Sequence, residues 1–237
     1  MKFGESSSRI INFLINDFCP PVLRDSFLMK PLFFLAFGLS KWRQFWGFRD
    51  RIHSLSSEEM AKIYHDTSDS DLKKHADISS AVIKRITDAC EGSSRILDVG
   101  CGRGLLADSL QRLGVDVFGC DVGSRCPGSL RGRYSVARAE SLPFPDDYFD
   151  VVICSHVLEH IPDIFRALSE LRRVASKKVI IVLPIERPYI RGFNLHVWFF
   201  PYRYSVLQIV RYGIRESDAF RLIKVRNEWF YLEHFGG

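Results

Sequence analysis

The sequence predicts an α/β fold built on a doubly wound parallel sheet, and three observations carry that prediction. First, short apolar runs follow one another through the second half of the chain: "RILDVG", "VDVFGCDV", "YSVARA", "FDVVICS" and "KVIIVLP". Each is rich in β-branched or apolar residues and ends near Gly, Asp, Ser or Pro, as strands buried on both faces do. Second, the helical patterns "LLADSLQRLG" and "IFRALSELRRVA" lie between them and supply the crossovers. Third, the glycine-rich turn Asp98-Val-Gly-Cys-Gly-Arg-Gly104 joins the first strand directly to a helix.

Composition is consistent with this. A chain of 237 residues with 46% hydrophobic and 26% charged content holds enough apolar material for one buried core with length left over. Its net charge of +5 comes without a basic cluster, so a solvated surface is expected and a dedicated nucleic-acid binder is not. Six cysteines (Cys19, Cys90, Cys101, Cys120, Cys126, Cys154) form no CxxC pair and suit a reducing cytoplasm. The start "MKFGESSSRI" lacks signal-peptide order. The run from Phe27 to Leu39 is broken by Lys30 and Pro31, well short of the roughly 20 residues a spanning helix needs. A cytoplasmic protein with no transmembrane segment is expected, peripheral membrane contact remaining open.

Residues 1–70 read as a helical cap or extension, aromatic-rich and irregular up to Phe48. They end in "LSSEEMAKIY", where Ser56 or Ser57 caps a helix with acids in its first turn. Residues 71–237 read as the main domain. It opens with the helix "DLKKHADISSAVIKRITDAC", whose Ile78, Val82, Ile83 and Ile86 mark one buried face and which Gly92 ends.

In the glycine turn, Gly100, Gly102 and Gly104 permit a backbone approach that a Cβ would block, while the helix start presents free amides to a polar ligand. Asp121, at the end of the second strand, suits the two hydroxyls of a ribose. That pair of features also fits a nicotinamide dinucleotide. The discriminating stretch is "ARAESLPFPDDYFDVVICSHVLEHIPD".

Through "ILDVGCGRG", "GCDV", "AESLPFPDDYFDVVICSHVLEH" and "KVIIVLP", residues 71–237 resemble the class I S-adenosylmethionine-dependent methyltransferases. The branch is that of the ubiquinone and menaquinone biosynthesis enzymes, with a looser likeness to methyltransferases of surface-polysaccharide or secondary-metabolite pathways. The resemblance implies a Rossmann-like, mostly parallel seven-stranded sheet flanked by helices, with S-adenosylmethionine as cofactor. It also implies that Gly100, Cys101, Gly102 and Gly104 line the methionine moiety, Asp98 supports it and Asp121 takes the ribose. Val122 and Ala139 would frame the adenine, and Ser155 would offer a backbone group near the amino end. Where relatives carry an acid for the adenine amino group this chain has Arg138, which cannot accept that bond, so either Glu140 or backbone carbonyls replace it or cofactor affinity is weaker than usual.

The segment "CSHVLEHIPD" follows the fourth strand. A helix starting near His156 would set His156, Glu159 and His160 on one face, with His196 as a further histidine after strand five. Such groups could ligate a divalent ion, but spacing without a closed ligand set does not make a metal site, and none is assigned. His156 and His196 are instead the expected general bases, because an imidazole suits proton removal from an acceptor hydroxyl. The loop "IERPYIRGFNLHVWFFPYRY" adds Arg187, Arg191, Arg203, Trp198 and three tyrosines, which suit a sugar, phosphate-bearing or aromatic acceptor. The expected reaction is methyl transfer to oxygen or nitrogen of a small molecule, sugar or glycolipid precursor. A quinone or RNA acceptor, or a non-catalytic cofactor-binding protein, are the alternatives.

Overall fold

The computed structural model describes residues 20–24, 26, 31, 48–68, 78–188, 195–214 and 218–236. The apolar run from Phe27 to Leu39 falls almost wholly outside them, as do Arg191 and Tyr189. Two compact units divide the chain: Met1–Ser54 with Pro188–His196, and Leu55–Arg187 with Val197–Gly237. In the first, short helical turns span Pro21–Arg24 and Phe48–Arg51, and Phe48 and Ile52 are buried. Among the described residues no helix is long and apolar enough to cross a membrane.

The second unit holds the sheet. Its strands are β1 (Arg95–Val99), β2 (Asp116–Asp121), β3 (Tyr134–Val136), β4 (Phe149–Ser155), β5 (Ala175–Pro184), β6 (Ala219–Val225) and β7 (Glu228–His234). They lie in the order β3-β2-β1-β4-β5-β7-β6. The first five are parallel, whereas β7 runs antiparallel to both its neighbours, β5 and β6. The helices are α1 (Ser57–Ser68), α2 (Ser80–Cys90), α3 (Leu105–Gln111), α4 (Ile164–Val174) and α5 (Arg203–Val210).

Alternate strand residues enter two separate cores, which is why the central strands read as unbroken apolar runs. Ile96, Val151, Ile153, Ile180 and Val182 pack with Val82 and Ile86 of α2 and Leu106 and Leu110 of α3. Leu97, Val152, Cys154, Val179 and Ile181 pack on the other face with Ala167, Leu168 and Leu171 of α4. Both layers are essentially solvent-free, so a polar residue facing them without a partner is costly.

The local signals act as their chemistry dictates. The Ser56 hydroxyl accepts from the Glu59 amide while the Glu59 carboxylate accepts from the Ser56 amide, closing a capping box on α1. Helix α2 begins later than the expected residue 71: Ser79 is its cap and Ile78 precedes it, while 71–77 lie outside the described residues. The β6–β7 hairpin turns at Arg226, in the left-handed region at φ 54°. Arg172 of α4 anchors it, its guanidinium 2.9 Å from the buried Glu233 carboxylate, which also accepts from the Tyr231 hydroxyl at 2.7 Å.

Candidate functional site

Strand order places the site. Val99 at the end of β1 is level with Cys120 of β2 and Cys154 of β4, so the segments leaving these strands emerge side by side at their carboxyl ends. Chain direction across the sheet reverses between β1 and β4, the position at which doubly wound sheets open a crevice.

The glycine turn lines that crevice. Gly100 and Cys101 donate their amides to the Cys120 carbonyl at 2.7 and 3.1 Å, folding the turn back onto β2. Gly100, Gly102 and Gly104 all have positive φ, of 72°, 52° and 79°. Two of them are glycine because protein fills the space: a Cβ on Gly100 would strike Val157, and one on Gly104 would lie 2.7 Å from Pro127. Gly102 differs. Its Cβ would meet nothing within 4 Å, so a side chain there would point into open space beside the turn.

Two acids flank the cradle. Asp121 accepts from the Gly102 amide at 2.9 Å through Oδ2 and from the Gly123 amide at 3.0 Å through Oδ1, so it shapes the turn as well as facing it. Asp98 is 3% exposed, and its Oδ2 has no hydrogen-bond partner among the described residues. Burial, then the nearby Asp121 charge, pushes the Asp98 carboxyl up to about 8. A buried acid with an empty oxygen is complementary to a cationic ligand group. Because the folded-state value lies above the ordinary 3.8, folding takes up a proton, and stability of the ligand-free protein should fall as pH rises from about 4 through about 8. Asp98→Asn should flatten that fall in thermal denaturation series and weaken ligand binding.

The remaining expected contacts lie around the same crevice. Val122 follows β2 and is half-buried. Asp121 pairs with Val136 of β3, and a tight turn from Arg138 to Ser141 follows, carrying the buried Ala139 and the half-buried Glu140. The Glu140 carbonyl accepts from Arg166 at 2.9 Å. Ser155 closes β4.

The histidine segment departs from expectation. No helix starts at His156; that residue takes a left-handed φ of 55°, a three-residue turn covers Leu158–His160, and α4 begins only at Ile164 after the Asp163 cap. Pro162 is the physical reason, since it holds Ile161 extended. The imidazole of His156 lies between two carboxylates, Nε2 at 3.0 Å from Glu228 and Nδ1 at 3.4 Å from Glu159. Burial by itself would lower its pKa, but the hydrogen bonds to Glu159 and Glu228 and their charges lift it to about 10. Both ring nitrogens of His156 are thus directed at carboxylates. Glu228 is held below the usual carboxylate range: burial opposes this, and His156 and the Ser79 amide outweigh it. Glu159 is fully buried, and His160 stands 4.0 Å from it while its Nδ1 meets the Tyr64 hydroxyl at 3.1 Å. His196, the other expected base, belongs to the first unit. Sequence reading missed Glu228 and Tyr64 because nothing in "RNEWF" or "KIYHD" signals contact with residues 72 and 96 positions away.

Residues 97–183 match the methyltransferase domain family. The matched stretch runs from β1 to β5, and over it the chain is similar to methyltransferase domains. Among curated relatives, it is 36% identical over 111 residues to a ubiquinone biosynthesis O-methyltransferase of Aeromonas salmonicida, covering 40% of this chain and 46% of that protein. It is 29% identical over 167 residues to an uncharacterized methyltransferase of a Mycobacterium species, covering 68% of this chain and 61% of that one. The chain therefore spans about half the length of these relatives. In fold it resembles the PH0226 protein of Pyrococcus horikoshii, with a TM-score of 0.53, 18% identity and coverage of 83% and 98%. It also resembles a protein titled the [4+2]-cyclase SpnF, with a TM-score of 0.54, 16% identity and coverage of 76% and 96%. S-adenosylmethionine, the cofactor of such domains, carries an ammonium and a methionine arm, and a buried Asp98 oxygen with no partner among the described residues and a glycine with an open side fit those two groups.

Proposed function

We propose that the protein transfers a methyl group from S-adenosylmethionine to oxygen or nitrogen of a small-molecule acceptor, a sugar or glycolipid precursor being the favoured class. The observation that carries this reading is the buried Asp98 oxygen, without a partner among the described residues, beside a glycine turn in which Gly102 has an open side. Asp98, Gly100, Cys101, Gly102 and Gly104 would hold the methionine end, Asp121 the ribose, and Val122, Ala139, Glu140 and Ser155 the adenine side. The sulfonium supplies an already activated methyl group, so the protein's task is alignment, exclusion of water and removal of one proton.

For the acceptor, the residues after strand five sort into two groups. Trp198 donates to the Ile161 carbonyl at 2.8 Å and Phe200 is buried, so both are wall rather than recognition surface. Tyr202 and Tyr204 are exposed and stacked with centroids 5.5 Å apart, flanking Arg203, which supports a ring-bearing polar acceptor.

Calorimetry with S-adenosylmethionine, followed by transfer of a labelled methyl to envelope and metabolite extracts, tests the proposal. Binding plus a labelled small product is expected; absence of binding would overturn it. Asp121→Ala should weaken cofactor binding by roughly 1.5 to 3 kcal/mol, the range for hydrogen bonds to a charged group. A second reading, cofactor binding without methyl transfer, draws on Arg138 and on the likeness in fold to a protein named as a cyclase. It predicts binding with no labelled product from any extract.

A further inference from the structure

We infer that Tyr134 is a positioning residue of the cofactor site, acting through Gly123 to orient the Asp121 carboxylate toward the ribose; the inference rests on the cofactor placement proposed above.

A chain of hydrogen bonds leads to it, and it starts on β3. Tyr134 is level with Gly119 of β2, two residues before Asp121. The half-buried Tyr134 ring packs against the core that holds Cys101 and Leu130, the same two residues that a Cβ on Gly119 would strike. From that footing its hydroxyl donates to the Gly123 carbonyl. The Gly123 amide donates to Asp121 Oδ1 at 3.0 Å, and the Gly102 amide donates to Oδ2 at 2.9 Å. One phenol is thus linked, through a single residue, to the acid and to the glycine turn.

Gly123 is where this chain needs support. A glycine has the most backbone freedom to lose on ordering and no side chain with which to hold itself. Asp121 fixes Gly123 at its amide and Tyr134 fixes it at its carbonyl, so the turn that also carries Val122 is held at both ends. Burial, then the nearby Asp121 charge, keeps the Tyr134 phenol well above its ordinary value, so it remains a donor at any working pH. A carboxylate offers about four acceptor positions. The two amides take one on each oxygen, which leaves one on each for the two hydroxyls of a ribose. That match serves binding only while the carboxylate keeps its orientation, because ordering it as the ligand arrives costs affinity.

The test uses the full chain and two ligands, S-adenosylhomocysteine and its 2′-deoxy analogue. By calorimetry, wild-type protein should bind the deoxy analogue about 10-fold more weakly, the loss of a hydrogen bond to a carboxylate. Tyr134→Phe should bind S-adenosylhomocysteine about 3- to 10-fold more weakly than wild type, and should lose less than wild type does on passing to the deoxy analogue. Equal weakening of both ligands would make Tyr134 a general support of the fold and overturn the inference, as would affinities unchanged from wild type. Amide exchange followed by NMR gives a readout that needs no ligand: the Gly102 and Gly123 amides should be protected in wild-type protein and exchange faster in Tyr134→Phe. Fast exchange of Gly123 in wild type overturns the positioning whatever the variant does, including a variant that fails to fold. Wild-type protein that binds neither ligand overturns the functional reading instead, and the exchange measurement still decides whether Tyr134 fixes the Asp121 turn.

Discussion

Gly102→Val should remove S-adenosylmethionine binding while leaving the protein folded. The argument joins two properties of one position. Its φ of 52° strains any L residue, by about 1–2 kcal/mol, and a β-branched one more. Its Cβ direction is open, so by the proposed cofactor placement the added side chain would take up space the ligand needs rather than displace protein. Loss of about 3 kcal/mol of binding corresponds to roughly 100-fold in affinity, readily measured by calorimetry. Gly100→Ala is the contrasting variant: its Cβ meets Val157, so circular dichroism should show lost stability together with lost binding. Unchanged affinity in Gly102→Val would place the cofactor elsewhere.

His156→Ala should be the most destabilising single change at the site. It removes the cation from between Glu159 and Glu228, and breaking a buried pair in this way costs about 3–5 kcal/mol because the charge left behind is uncompensated. Denaturant melts should show that loss at neutral pH. The pH dependence has a definite sign. The folded value of about 10 lies above the ordinary 6.5, so the contribution of His156 is fully present below about 6.5 and is lost as pH rises through about 10. A wild-type stability curve that declines over this interval, and a flatter curve for His156→Gln, are expected. If the two curves coincide, the imidazolium is not what holds the carboxylates.

Much of the fold was legible because it rests on local rules. The five parallel strands announced themselves as apolar runs, since each is buried on both faces, and the glycine turn was visible because three residues must take positive φ within five positions. Ser56 and Gly92 likewise acted through their neighbours alone. What was illegible depends on distance along the chain. His156 was legible as a titratable group, but of the two carboxylates that raise its pKa, Glu159 and Glu228, the second arrives from β7. The expected helix at His156 failed because Pro162 competes with the i, i+4 pattern and wins.

The insertion of β7 between β5 and β6 has a consequence for how the protein is made. Until residues 228–234 emerge, β5 presents its open edge, and its apolar Val179–Leu183 stretch is a template for pairing with other chains. β5 ends at Pro184 and β7 begins only at Glu228, so at ~5–20 residues per second the ribosome leaves that edge uncovered for several seconds. Over the same interval Glu159 and His156 are already synthesised but lack the second carboxylate. The clamp that fixes the site is thus also the latch that seals the sheet, and slow docking of β7 would yield aggregation during synthesis before any loss of activity in the protein that completes it.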